Sequence, residues 1–312
     1  MKKKLPHPDS GRGGYCMADI EPNPDTPPAF DELLPAEMAF KAQEIGIKKA
    51  NLDFLSTFAL AILAGAFIAL GAIFFTVTMT GSSSIPWGIS RVIGGVTFSL
   101  GLILVVVGGA ELFTGNNLII MAWASRKLST WRVLRNWLIV YIGNFSGAVA
   151  TALVVYFALH YESDGGAVGL TALNIGNGKV HLDFVQALIL GILCNALVCL
   201  AVWLTYSART VLGRISAIIF PIAAFVAAGF EHCVANMFFV PYAILVKAGA
   251  PATFWDNIGV DPSVYKDLTW GSFFVNNLLP VTIGNIIGGV FFVAFVYWAI
   301  YLRKKAMTET AD

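Results

Sequence analysis

Charge is the scarcest commodity in this 312-residue chain: Asp, Glu, Lys and Arg make up 12% of it, against 57% hydrophobic residues. That shortage excludes an ordinary soluble domain, in which charged residues run near a quarter of the total. Basic and acidic residues nearly cancel, 20 against 19, so no excess of charge points to a nucleic-acid partner. Cysteine is sparse too. Cys16, Cys194, Cys199 and Cys233 form no CxxC pair, and three of them sit in apolar runs, which predicts small buried hydrophobes and no disulfide. Several chemistries lack their letters. There is no HExxH, no glycine-rich phosphate loop, no Gly-x-Ser-x-Gly elbow, and no second ligand pair to make a metal site of His232 and Cys233. We therefore expect no metal and no cofactor. The opening MKKK is followed by no apolar stretch before Pro35, so it does not read as a signal peptide.

What the chain does have is apolar length. Mean hydropathy is +0.73, and a helix needs about 20 mostly apolar residues to cross the hydrocarbon core. Six stretches qualify: Phe54 to Met79, Ile89 to Ala124, Trp137 to Leu159, Phe184 to Tyr206, Ile215 to Val246 and Phe273 to Leu302. The basic residues Arg126, Lys127, Arg132 and Arg135, then Arg209 and Arg214, then Arg303, Lys304 and Lys305, fall on one side of this threading. By the positive-inside rule that side is cytoplasmic, and both termini lie there. The other side carries Glu162, Asp164, Asp183, Asp256, Asp261 and Asp267, with Lys179 and Lys266 as exceptions.

Four regions follow. Residues 1–29 are rich in Pro, Gly and Asp and read as a disordered cytoplasmic tail, with Met17 as an alternative start. Residues 30–50 carry Met38, Ala42 and Ile45 at helical spacing behind Pro35, an amphipathic cytoplasmic helix that serves as an anchor or a plug. Residues 51–303 form the six-span domain, and 304–312 a short cytoplasmic tail.

Spans two and five are too long for one crossing, and their interruptions match. Gly109-Ala110-Glu111 followed by Asn116 answers Gly229-Phe230-Glu231 followed by Asn236. NWLIVYIGNFSGA from Asn136 likewise aligns with NLLPVTIGNIIGG from Asn277, which pairs Asn144 with Asn285 and the GxxxG of Gly143 and Gly147 with that of Gly284 and Gly288. The chain is thus two halves of three spans. Three is odd, so the halves are inverted about an axis in the membrane plane, which brings the two breaks near the midplane. Non-helical backbone survives at that depth only inside protein or against a cavity. The breaks therefore mark a pathway.

At the breaks, Glu111 and Glu231 are placed to accept hydrogen bonds from the free N–H groups of the half-helices, with proton relay as the competing role. Asn116, Asn236, Asn144 and Asn285 are further partners for freed backbone. His232 has no counterpart, because Leu112 holds its place in the first half. An ionisable group inside a membrane is functional by default. Thr114 and Asn195 are its nearest candidates for orientation.

GGAELFTGNN from Gly108, GFEHCVANM from Gly229 and PVTIGNIIGG from Pro280 resemble the formate/nitrite transporter family, its formate channels most of all, and the resemblance runs from Phe30 to about Arg303. It implies an aquaporin-like, all-α bundle of six spans with two interrupted helices, in the bacterial inner membrane, assembled as a homopentamer with a pore in each protomer. It also implies site residues: His232, Thr114 and Asn195 at the pore centre, Phe98, Leu102 and Phe225 as an outer apolar constriction, Leu112, Phe113 and Val198 as an inner one, and Lys179 in the outer vestibule. The expected substrates are formate and related small monovalent anions, passed as the near-neutral acid after His232 gives a proton or a strong hydrogen bond. Nitrite or hydrosulfide is the alternative within the family. A neutral-solute pore of the water or glycerol type, or an intramembrane enzyme using Glu231 and His232, is the alternative outside it.

Overall fold

In the computed structural model, residues 32–303 are described. The expectations for residues 1–29 and 304–312, for Cys16 and for Met17 lie outside them. Among the described residues every regular element is helical. Helix α1, Pro35–Asn51, opens with Pro at its first position and with the Glu37 carboxylate accepting the Leu34 N–H at 2.8 Å, so a free donor of the first turn is satisfied. It is followed by α2 (Phe54–Met79), α3 (Trp87–Gly108), a 3-10 turn and α4 (Ile120–Ala124), and α5 (Thr130–Phe157). The second half runs α6 (Ala167–Val180), α7 (Phe184–Ser207), α8 (Val211–Ala227), α9 (Cys233–Gly249) and α10 (Ala252–Ile258). A last long rod alternates α11 (Trp270–Ser272), α12 (Leu279–Ile287) and α13 (Phe295–Tyr301) with π-helical turns at Phe273–Leu278 and Gly288–Ala294.

The inverted repeat is larger than three spans. Lys49-Ala50-Asn51-Leu52-Asp53-Phe54 ends α1 and begins α2 as Lys179-Val180-His181-Leu182-Asp183-Phe184 ends α6 and begins α7. In both copies the Asp is the N-cap, Asp53 accepting the Ser56 N–H at 2.9 Å and Asp183 the Gln186 N–H at 2.8 Å. The sequence offered residues 160–183 as a loop between spans, whereas α6 is a 14-residue helix related to α1. Its three glycines and its polar Asn174, Asn177 and Lys179 dilute the apolar pattern that would have announced it.

Among the described residues five helical rods are long and apolar enough to cross a membrane: Phe54–Met79, Trp87–Gly108, Thr130–Phe157, Phe184–Ser207 and Pro262–Tyr301. The fifth predicted span is divided between α8 and α9, of 17 residues each. Each half packs its own helices together through small residues. A Cβ on Gly143 or Gly147 of α5 would fall on Ala61 or Ile62 of α2, and one on Gly284 or Gly288 of α12 and its π turn on Leu188 or Ile192 of α7. The paired GxxxG motifs therefore set the same helix contact twice. In α3, Gly95 meets the Ala223 backbone of α8 across the pseudo-twofold.

Each break begins with a glycine in the left-handed region, Gly109 at φ 77° and Gly229 at φ 76°, which closes the preceding helix at no steric cost. The Glu111 N–H bonds the carbonyl of Leu60, two turns into α2, and the Glu231 N–H bonds that of Leu190, two turns into α7. The two breaks meet through Thr114, three residues after Glu111, and His232, the residue after Glu231.

Candidate functional site

Two cavities enter the chain from opposite faces. The one beside α1 has a volume of about 260 Å³ and is lined by Lys41, Lys49, Leu102, Glu111, Leu112 and Arg214 among others. The one beside α6 has a volume of about 270 Å³, with Arg91, Phe98, Lys179, Phe225, Glu231 and His232 in its wall. Between them lies buried side chain: Phe98, Leu102, Leu112, Phe113, Thr114, Val198, Phe225 and His232 are each no more than 3% exposed.

The polar centre of that barrier is one contact. His232 is the N-cap of α9, where its Nδ1 accepts the Ala235 N–H at 3.1 Å, while its Nε2 lies 2.9 Å from Thr114 Oγ1. A neutral imidazole with Nδ1 accepting carries its proton on Nε2, so the ring donates to the threonine hydroxyl. The threonine O–H is thereby left to donate elsewhere. Asn195 does not reach the ring. Its Nδ2 donates to the backbone carbonyls of Thr114 at 3.3 Å and Asn285 at 2.6 Å, so it fixes the strand that carries Thr114.

Around the centre, each half builds the same network. Asn144 Oδ1 takes the Phe113 N–H at 2.9 Å and its Nδ2 donates to the carbonyls of Ala61 and Glu111. Asn285 does the same for Cys233 N–H, Gly191 and Glu231. These two asparagines replace the helical hydrogen bonds that the breaks forgo. The glutamates take a different role from the one their position suggested. Glu111 binds the Lys49 ammonium at 2.8 Å and Asn116 Nδ2 at 2.7 Å; Glu231 binds Lys179 at 2.9 Å and Asn236 Nδ2 at 2.6 Å. A fifth pair completes the symmetry: Asn136 accepts from Asn116 and donates to the Lys49 carbonyl, and Asn277 accepts from Asn236 and donates to the Lys179 carbonyl.

Lys179 accordingly stands in the wall of the α6-side cavity with its charge already matched. Leu102 lines the α1-side cavity together with Leu112, one helical turn from Phe98, which lines the other with Phe225. Phe113 packs edge-on against Tyr141 at 4.9 Å and, like Val198, is buried without lining either cavity. Lys49, Asn136 and Asn277 were not singled out in the sequence. The recurrence of Lys-x-x-Leu-Asp-Phe would have found Lys49, and the asparagines head the very stretches whose alignment revealed the repeat. Among the described residues no group of three His, Cys, Asp or Glu side chains could hold a metal, and Cys194, Cys199 and Cys233 are buried free thiols.

Known proteins resemble this chain over most of its length. Residues 36–299 match the family model described as formate/nitrite transporter. The chain is 46% identical over 276 residues to the formate channel FocA of Escherichia coli K12, covering 88% of this chain and 97% of that one. It is 45% identical over 257 residues to the formate channel FocA of Haemophilus influenzae, at 82% and 90% coverage. A solved pentameric formate channel with formate bound superposes with a TM-score of 0.77 at 48% identity, covering 80% of this chain and 98% of that chain.

Proposed function

The chain belongs to the formate/nitrite transporter family, and from that premise we propose that it is a membrane channel for formate and related small monovalent anions, with a nitrite or hydrosulfide channel as the alternative reading. It works in the bacterial inner membrane as a homopentamer with one pore per protomer and both termini cytoplasmic. The enzyme and neutral-solute alternatives leave the family relation without a role.

The observation that carries this reading is the His232–Thr114 contact, 2.9 Å long, buried where the two cavities approach each other. An unpaired anion in an apolar zone is costly. By analogy with side-chain carboxyls of pKa about 4, only about one molecule in 10³ would be neutral at pH 7, so the pore itself must make up the difference. A carboxylate arriving from either cavity would compete for the Nε2–H and for the threonine O–H, two donors aimed into the same gap. Phe98 and Phe225 in the α6-side cavity and Leu102 and Leu112 in the α1-side cavity would strip the water shell, with the buried Phe113 and Val198 completing the inner constriction, which rejects larger or more strongly hydrated ions.

The neutral ring gives a hydrogen bond rather than a proton. It has one N–H, and protonation at Nδ1 would require the Ala235 N–H to let go of the ring. Proton donation to the anion is thus coupled to loosening the first turn of α9. This links pH to the pathway through one backbone bond.

Formate and nitrite flux into liposomes holding the purified protein, on both sides of pH about 6.5, the reference His pKa, tests the reading with His232→Phe alongside the parent. The expected result is formate flux whose pH dependence the variant loses. A parent that passes neutral polyols and no weak acid would sink the channel assignment.

A further inference from the structure

In each cavity the lysine that looks like an anion trap is already bound. Lys179, with a side chain only 16% exposed, is paired with the almost fully buried Glu231. Among the residues lining the α6-side cavity, three carry formal charge: Arg91, Lys179 and Glu231. With the last two cancelling, the net positive field of this mouth comes from Arg91.

Arg91 sits on α3 and reaches across to the C-terminal end of α8. Its Nη2 donates to the Val226 carbonyl and its Nε to that of Ala227 at 3.3 Å. Neither acceptor carries a formal charge, so the hydrogen bonds fix the guanidinium and leave its unit charge in place, softened by the C-terminal end of α8 and by the nearby Glu231. The Phe75 ring lies under it, 5.8 Å from the central carbon. Two N–H groups are taken of the five that a guanidinium offers, and among the described residues no acceptor bonds Nη1. The group is thus immobilised, positively charged, and left with three N–H donors, two on Nη1 and one on Nη2, on the wall that leads to His232. One N–H from each of these two nitrogens forms the fork that matches the two oxygens of a carboxylate. The α1-side mouth follows the same logic. Lys49 is paired with Glu111, while Lys41 bonds only the neutral Tyr206 carbonyl at 2.9 Å beside Arg214.

We propose that Arg91 is the anion-capturing residue of the α6-side mouth, the group that draws a small carboxylate into the cavity before it meets His232 and Thr114. This rests on the channel reading above and moves the electrostatic role from Lys179 to Arg91.

The full chain in liposomes, with formate at limiting concentration and ionic strength raised from about 0.01 to about 0.15 M, tests it. Over that range the Debye length falls from about 30 to about 8 Å. At limiting concentration permeability is equal from either face, so mixed orientation does not dilute the effect. R91Q keeps amide donors for the two carbonyls and removes the charge. It should lower formate permeability about five-fold at low salt, with the gap closing as salt rises, while R91K stays near the parent. Gly178 supplies a second variant should R91Q fail to assemble, since it lines the same cavity and an added Cβ there meets nothing within 4 Å. G178E should reproduce the loss and the flattened salt dependence, and G178K should steepen it. If R91Q and R91K lose flux alike at every salt concentration, Arg91 is a helix cap and nothing more. If R91Q or G178E keeps the parent's salt dependence, the proposal is wrong while the channel reading stands. A parent that passes no formate overturns both.

Discussion

His232 and Thr114 belong to opposite halves of the repeat, and the Nε2 of one lies 2.9 Å from the Oγ1 of the other. With Nδ1 held by the Ala235 N–H, this is the one outlet for the ring proton. Thr114→Val should therefore leave a buried N–H unpaired, at a cost of about 1–3 kcal/mol, and remove the second donor from the gap. We expect Thr114→Val to lower formate flux and the unfolding midpoint together, and Thr114→Ser, which keeps the hydroxyl, to stay close to the parent. Equal flux in all three proteins would separate the contact from permeation.

Lys49 and Glu111 tie α1 to the first break, with side-chain exposures of 26% and 4%. Removing one partner of a buried pair costs about 3–5 kcal/mol because the other charge is left behind. The part-exposed ammonium puts this pair at the low end, about 3 kcal/mol for Lys49→Met. Glu111→Gln in the Lys49→Met background removes the stranded carboxylate and should recover most of that loss. A double-mutant cycle on the unfolding midpoint of the purified protein reads the coupling directly, and strictly additive effects would argue that the pair contributes little.

How much of the fold and site was legible in the sequence depended on whether a residue's partners lie near it along the chain. The two breaks could be read because Gly-x-Glu and the Asn five residues on repeat as a unit, and glycine followed by polar letters inside an apolar run marks a place where a membrane helix stops. His232 stood out by breaking that symmetry. The carboxylate partners could not be read. Lys49 is 62 residues from Glu111 and Lys179 is 52 from Glu231, and no local pattern states which cation will meet which anion. Arg91 was invisible because its acceptors are the backbone carbonyls of α8, to which the side chains of Val226 and Ala227 give no clue.

The glycine contacts separate two kinds of substitution. A methyl group on Gly288 falls on the Ile192 carbonyl, an atom that cannot move without shifting α7, whereas one on Gly88 meets nothing within 4 Å. Overpacking costs about 1–3 kcal/mol where neighbours give a little, and backbone gives less than side chain. Gly288→Ala should therefore fail to yield a well-assembled channel. Gly88→Ala should match the parent or gain up to about 1 kcal/mol from helix propensity. Size-exclusion elution and unfolding midpoints of the two proteins in detergent distinguish them.

The entry to α2 carries a pH signature of its own. The Ser56 hydroxyl and backbone N–H beside Asp53 hold its carboxyl below the usual carboxylate range. A folded-state pKa below the unfolded one means that the folded form favours the ionised cap. Its stabilisation is complete above the unfolded value of about 3.9 and is lost as pH falls through the lower folded value. Asn caps a helix about as well as Asp without titrating. Protection of the Ser56 amide against hydrogen exchange should consequently drop in the parent as pH falls below about 4 and stay level in Asp53→Asn. Asp53→Ala should lack that protection at neutral pH already. A parent whose Ser56 amide keeps the same protection factor across the acid range would mean that the carboxylate, although bonded, does not hold the first turn of the helix.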